Sequence, residues 1–183
     1  MNLLIDELDR IQWGKLRSQL GNAINVPLYF PRMIFAISET QGLEAYWQLD
    51  NYVVVQSQLF EAAEYLVPFL LSGLVIGTPF GKHMCLDLIA EIAGGFPDTT
   101  EINSGNAAIE FRCGDEIRKG LPLFYSFLES EDFRIRECAI TILAWVERDK
   151  QRLNWYFQKL LQLGLRDIAR EFVEKKLLKP NDT

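Results

Sequence analysis

An apolar–proline–apolar triplet occurs three times in this chain of 183 residues, and this repetition restricts its fold more than any other feature. The triplets centre on Pro27, Pro68 and Pro122, and each precedes further apolar residues and a second helix-like segment. Pro27 and Pro68 are 41 residues apart, within the range of about 40–47 residues for two-helix repeats. The sequence therefore predicts repeated helical hairpins, with a first helix that each proline bends.

The spacing of apolar residues predicts helices along most of the chain. In segments 61–74 and 133–146 apolar residues recur at intervals of three and four, which is typical of half-buried helices. Strand-like patterning is confined to 52–55. The predicted fold class is all-α.

The breakers between these segments indicate the organisation of the domain. With 49% apolar and 24% charged residues, the chain is expected to bury a core as one domain, residues 1–183. Pro68 and Pro122 are 54 residues apart, and a turn-rich stretch accounts for the additional length, so 96–105 is predicted to be an inserted loop. The predicted units are 1–56, 57–95 and 106–148, followed by a polar capping hairpin at 150–179.

The third unit resembles a HEAT repeat. Leu121-Pro122-Leu123 is followed by Asp132, Arg136 and Ala139 in the order of that family. The resemblance, which extends over about residues 11–147 and includes a bacterial HEAT-repeat group, implies a short right-handed α-α superhelix. It also implies that Asp132 and Arg136 support the turn between repeats. The second unit departs from the pattern, because His83 stands where Arg136 stands in the third.

Residue types that carry catalysis or bind metals are sparse. His83 is the only histidine, and Cys85, Cys113 and Cys138 lack the paired spacing of a zinc site or a disulfide framework. No glycine-rich segment matches a phosphate-binding loop. The sequence predicts no enzyme activity, no metal and no cofactor or small-molecule substrate.

Charge is distributed unevenly. Between residues 33 and 111 ten acidic residues accompany one basic residue, whereas nine basic residues accompany four acidic ones between 148 and 179. The net charge of −6 argues against nucleic-acid binding. It also disfavours a HEAT-like DNA glycosylase, which needs a basic channel. No apolar stretch is long enough for a bilayer, and the acidic N-terminus differs from a signal peptide, so a cytoplasmic protein is expected.

The acidic middle of the chain is interpreted either as a solubilising surface or as a binding surface for a basic protein. In a solenoid the second helices line the concave face, and their polar stripes and the inserted loop are the predicted contacts. The predicted contact residues are Glu44, Gln48, Asn51, His83, Asp87, Glu91, Asp98, Glu101, Glu137 and Thr141.

Two functions fit such a surface. The resemblance and the charge favour an immunity protein that occludes the active site of a basic bacterial toxin domain. The alternative is a HEAT-repeat scaffold or adaptor subunit for another protein partner.

Overall fold

The computed structural model describes residues 3–177, apart from the side chains of residues 167 and 168. Within them the chain forms eleven α-helices, which confirms the predicted all-α class. The helices are α1 (Leu3–Leu8), α2 (Val26–Ile34), α3 (Glu39–Val53), α4 (Ala62–Ile76), α5 (Pro79–Ala93), α6 (Thr99–Asn103), α7 (Ile109–Arg118), α8 (Leu121–Phe127), α9 (Phe133–Val146), α10 (Lys150–Leu163) and α11 (Asp167–Leu177). A 3₁₀ helix covers Trp13–Lys15, and the two-residue strands are β1 (Arg17–Ser18), β2 (Gly21–Asn22), β3 (Val54–Val55), β4 (Gln58–Leu59) and β5 (Phe96–Pro97).

Short polar side chains determine where several helices begin. Ser38, Thr78, Asp132 and Asp149 precede α3, α5, α9 and α10, and each accepts a hydrogen bond from a backbone amide of the first turn. These bonds satisfy amides that have no partner within the helix. The boundaries of these helices are therefore encoded locally.

Helix α5 lies at the centre of the packing. It contacts α2, α3, α4, α7 and α9, while α2 packs on α3, α4 on α5, and α8 on α9. Its buried side chains are Met84, Cys85, Leu86, Leu88, Ile89 and Ile92. Because these side chains cover most of the helix circumference, only a narrow stripe of α5 is left for polar residues.

The sequence predicted a helix bent by proline in every unit, but only one of the three prolines of the triplets lies inside a helix. Pro68 lies inside α4, as predicted. Pro27 and Pro122 lie instead in the first turns of α2 and α8, where the missing amide hydrogen breaks no helical hydrogen bond and the fixed φ suits the helix start. The bending role predicted for these two residues is wrong, and the proline inside α2 is Pro31.

The predicted inserted loop 96–105 is ordered secondary structure. Strand β5 pairs in parallel with β4, and β4 pairs antiparallel with β3. The amide of Phe96 donates to the carbonyl of Ser57 at 2.8 Å, and the amide of Asp98 donates to that of Leu59 at 3.1 Å. Helix α6 follows directly. The stretch predicted as an inserted loop therefore contains a strand and a short helix. Local turn signals do not reveal the strand, because its pairing joins segments about forty residues apart.

The C-terminal hairpin consists of α10 and α11, which pack on each other, and α11 also packs on α9. Residues 178 and 179 of the predicted cap lie outside the described residues. Basic side chains of the hairpin stack on aromatic rings. Arg152 lies 4.0 Å from the ring centroid of Tyr125, and Lys176 lies 4.0 Å from that of Trp145. Part of the positive charge of the hairpin is therefore engaged within the chain.

Across residues 3–177, none of the helices combines the length and the apolar character that crossing a membrane requires.

Candidate binding surface

The second helices of the three predicted units lie in one layer, with α5 between α3 and α9. Two polar contacts connect the beginnings of these helices. Nη1 of Arg134 lies 3.1 Å from Oε1 of Glu39 at the start of α3. Nε2 of His83 lies 3.0 Å from Oδ2 of Asp132, the residue that caps α9. The three helices therefore begin at the same edge of the layer.

A polar stripe runs along α5. His83 and Asp87 are half-buried and Glu91 is exposed, at intervals of four residues. The structure thus places these three predicted contact residues on one face of one helix, as their spacing indicates.

Three carboxylates converge where α3 meets α5. Asp50 of α3 and Asp87 and Glu91 of α5 all act electrostatically on the hydroxyl of Tyr46, a residue that is 8% exposed. Burial, followed by these carboxylates, raises the pKa of Tyr46. Within residues 3–177 none of the three carboxylates forms an ion pair. We call Asp50, Asp87 and Glu91 the acidic cluster.

The charge of Asp50 opposes folding at neutral pH. Burial, and then the charge of Glu91, raises the pKa of Asp50 from 3.8 to about 6. A raised pKa means that the folded state holds the proton more tightly than the unfolded chain. The stabilising contribution is therefore complete below the unfolded pKa and is lost as the pH rises through about 6. Groups that reduce stability in this way are typical of functional sites.

Replacing Asp50→Asn is expected to stabilise the fold by about 1 kcal/mol at neutral pH, a value discounted for the partial exposure of the side chain. The gain is expected to shrink as the pH falls through about 6, because Asp50 is then protonated in the folded state, and to vanish below 3.8, where it is protonated in the unfolded chain as well. Urea unfolding at neutral pH and at a pH well below about 6 measures this difference, and the exposed Glu44→Gln is the matched control. An equal gain at both pH values would contradict the ionisation of Asp50 as its cause.

The predicted contact residues of α3 do not join the acidic cluster. Glu44 and Gln48 face α2 and line a groove of about 650 Å³ with Tyr29 and Arg32. Nδ2 of Asn51 donates to a backbone carbonyl of its own helix at 2.6 Å. These three exposed residues therefore lie apart from the acidic cluster, and their role in partner binding stays a prediction.

Sequence reasoning missed Tyr46 and Asp50, which lie on the side of α3 beside α5, and the neighbouring Trp47. Trp47 is 56% exposed, and its ring meets that of Tyr46 edge-on, with centroids 5.2 Å apart. Gly42 was the sequence signal that could have located the side of α3 facing α5. A Cβ at Gly42 would lie 3.3 Å from Cγ of Met84, so the missing side chain marks the side of α3 that approaches α5.

Helix α9 contributes less to the open surface than predicted. Oε1 of Glu137 lies 3.9 Å from Nε of Arg166 in the C-terminal hairpin, and Thr141 is half-buried. The Sγ–H of Cys138, which was not a predicted contact, donates to Oδ1 of Asp87 at 3.1 Å. On the α9 side, Asp87 therefore meets this thiol, and Arg134 of α9 lines the same small cavity.

Glu101 is not a surface residue. Its side chain is fully buried. The predicted contact role is wrong because the carboxylate forms an ion pair with Arg17, which lies 84 positions earlier in the sequence. Nε and Nη2 of Arg17 donate to the two carboxylate oxygens of Glu101 at 3.0 and 2.8 Å. The Glu61 amide and the Asn106 side chain also donate to this carboxylate. Burial alone would raise the pKa of Glu101, but these hydrogen bonds outweigh it, and the pKa is lowered.

Asp98 and Arg136 also have local roles. Oδ1 of Asp98 accepts hydrogen bonds from the amide and hydroxyl of Thr100 and caps α6. Arg136 does not take part in the link between Asp132 and His83, and it lines a groove of about 490 Å³ with Trp155 and other residues of α10. Asp132 caps α9 and contacts His83 of α5, and the support of a turn between repeats by Asp132 and Arg136 stays a prediction.

The thiols do not resemble catalytic nucleophiles. Burial raises the pKa of the Cys85 thiol, and burial and Glu64 raise that of Cys113 to about 12. Both side chains lie in the core, and Cys113 is within α7. Across residues 3–177 no group of three or more His, Cys, Asp or Glu side chains has the arrangement to hold a metal ion.

In comparisons with known proteins, no protein family, no curated protein and no solved structure matches this chain.

Proposed function

We propose that this chain is a non-catalytic protein-binding module and that the acidic cluster is the centre of its contact surface. The observation that supports this proposal is the convergence of Asp50, Asp87 and Glu91, without ion pairs in the described chain, around the hydroxyl of Tyr46. Negative charge that the chain itself does not neutralise attracts a positively charged surface and increases its rate of association. The exposed ring of Trp47 adds an aromatic contact of the type that is enriched in interfaces.

The partner proposed for this surface is a basic toxin domain, and the mechanism is occlusion of its active site. The resemblance of the third unit to HEAT repeats, the unequal charge along the chain and the side-by-side packing of α3, α5 and α9 support this assignment. We also propose that the helical pairs form a short superhelix, as the resemblance implies.

A scaffold or adaptor role is the second candidate. The groove that Arg136 lines also contains Trp155 and Leu163, which are 56% and 82% exposed. An adaptor needs a second contact surface, and these apolar side chains beside α10 are suited to that purpose.

The proposed function is tested by mixing the purified chain with the product of the neighbouring gene. A stable complex in size-exclusion chromatography, together with loss of that product's toxicity in cells, is the expected result. A complex without protection would favour the adaptor. Neither complex nor protection would overturn the immunity role.

A further inference from the structure

We infer a second interaction surface in the groove that Arg136 lines with α10: it docks a segment of a partner protein that presents an aspartate or glutamate to Arg136 between apolar side chains. This inference goes beyond the contact surface proposed above, because it concerns a different part of the chain and a partner group of the opposite charge. Where it names the chemistry of an adaptor's partner, it rests on the adaptor candidate of the proposed function.

The groove is a mainly apolar cavity of about 490 Å³, lined by residues between 128 and 136 and between 155 and 165. Trp155, Lys159 and Leu163 follow one another at intervals of four, so they share one side of α10. Trp155 and Leu163 are 56% and 82% exposed. A small molecule in the groove would leave much of these two side chains in water, whereas a protein surface can cover them. The exposed apolar side chains therefore favour a protein partner.

Arg136 identifies the group that the partner inserts. Within residues 3–177 four arginines are half-buried, namely Arg17, Arg112, Arg118 and Arg136. Each of the first three forms an ion pair with a carboxylate of the chain. The guanidinium of Arg136 forms no ion pair and no cation–π contact with the described residues. Because charged groups that are withdrawn from water are normally paired, we expect its partner to come from another molecule.

The other charges of the groove are compatible with a single carboxylate. Lys159 adds a second positive charge, and Glu129 at the groove is exposed. A guanidinium binds a carboxylate through two parallel hydrogen bonds, and neighbouring apolar side chains strengthen such a pair by excluding water. Nucleic acids also carry negative charge, but the net charge of −6 repels a polyanion. A protein segment with one carboxylate between apolar residues is therefore the occupant that fits the groove.

The test is a titration of the isotope-labelled full chain with the peptide N-acetyl-Leu-Glu-Leu-Leu amide, followed by nuclear magnetic resonance. Saturable shifts of the Trp155 indole and of the amides of 159–165 are expected. Arg136→Gln is expected to weaken binding about fivefold or more. The matched control is Arg32→Gln, which removes an exposed arginine at the groove between α2 and α3 and is expected to leave binding unchanged.

A second variant separates binding from folding. Leu163 is 82% exposed, so Leu163→Ser is expected to keep the melting temperature of the natural chain and to weaken binding about threefold, through the lost apolar contact. The melting temperature of Arg136→Gln shows whether that variant is folded. If it is not, Leu163→Ser and the peptide controls decide the result.

Two control peptides separate charge from apolar contact. N-acetyl-Leu-Gln-Leu-Leu amide has the same shape without the charge and is expected to bind about fivefold more weakly or less. N-acetyl-Gly-Glu-Gly-Gly amide keeps the charge without the apolar side chains and is expected not to bind. Absence of saturable shifts at the groove, equal binding of either control peptide, or full affinity in a folded Arg136→Gln would overturn the docking groove.

The outcome is independent of the experiment with the neighbouring gene's product. If the glutamate peptide binds at the groove and that product neither binds nor is inhibited, the docking groove stands and the immunity role fails. If that product binds and is inhibited while the peptide causes no shifts, the immunity role stands and the docking groove fails.

Discussion

Replacing Glu101→Ala should destabilise the fold by about 3–5 kcal/mol, the cost of breaking a buried ion pair by removing one partner. The carboxylate is fully buried and accepts hydrogen bonds from Arg17, the Glu61 amide and Asn106. These donors come from β1, the start of α4 and the segment after α6. The substitution therefore loosens three parts of the chain together.

Chemical unfolding of Glu101→Ala, Glu101→Gln and the exposed control Glu174→Ala tests this prediction. Glu174 pairs with Arg170 at the surface of α11, so its loss should change stability by less than about 0.5 kcal/mol. Glu101→Gln should fall between the other two, because it keeps the shape of the side chain and loses the charge. Equal stability of Glu101→Ala and Glu174→Ala would contradict the structural role of Glu101.

The ion pair of Glu101 with Arg17 makes the stability of the fold depend on pH. Hydrogen bonds lower the pKa of Glu101 in the folded state below its ordinary 4.5. A lowered pKa contributes stability above the unfolded pKa, and this contribution is lost as the pH falls through the folded pKa. Stability should therefore decline below about pH 4.5 in the natural chain, and more steeply than in Glu101→Gln.

Gly81→Ala should cost about 3 kcal/mol or more, because the new methyl group meets backbone and not a movable side chain. A Cβ at Gly81 would lie 2.2 Å from the carbonyl oxygen of Ile34 at the end of α2. The same carbonyl accepts a hydrogen bond from the amide of Thr78 at 2.9 Å, and the Thr78 hydroxyl donates to the Ala36 carbonyl at 2.6 Å. Relief of the clash would therefore disturb the junction of α2 and α5.

Gly114→Ala is the matched control. Gly114 lies within α7, and the nearest atom to its added Cβ is Nη1 of Arg118 at 3.3 Å, the end of a flexible side chain. Alanine is a better helix former than glycine by about 1 kcal/mol, so this variant should be as stable as the natural chain or slightly more so. Thermal unfolding of both variants gives the comparison. Equal melting temperatures would refute the close approach of α5 to α2.

Local sequence signals were sufficient for the all-α class and for one part of the surface. The three- and four-residue spacing predicted the all-α class, and the interval of four placed His83, Asp87 and Glu91 on one side of α5. These features depend on residues within one helix, which periodicity describes well.

The other features of the fold and of the candidate surface depended on contacts between segments that are distant in sequence. Asp50 and Asn51 are adjacent in sequence, and only the packing of α3 on α5 decides which of them joins the acidic cluster. Glu101 resembles any surface acid until its partner Arg17 is known. The pairing of β5 with β4 likewise connects residues that no local pattern relates.

The central claim is that the acidic cluster carries recognition, and the most direct test is the affinity of the neighbouring gene's product for charge-reversed variants. Asp87→Lys/Glu91→Lys alters the cluster. Asp6→Lys/Glu7→Lys makes the same change in net charge on exposed positions of α1. Isothermal titration should show a loss of roughly a hundredfold for the first pair and less than about threefold for the second. Equal losses in both pairs, or none in the first while both remain folded, would contradict recognition by the acidic cluster.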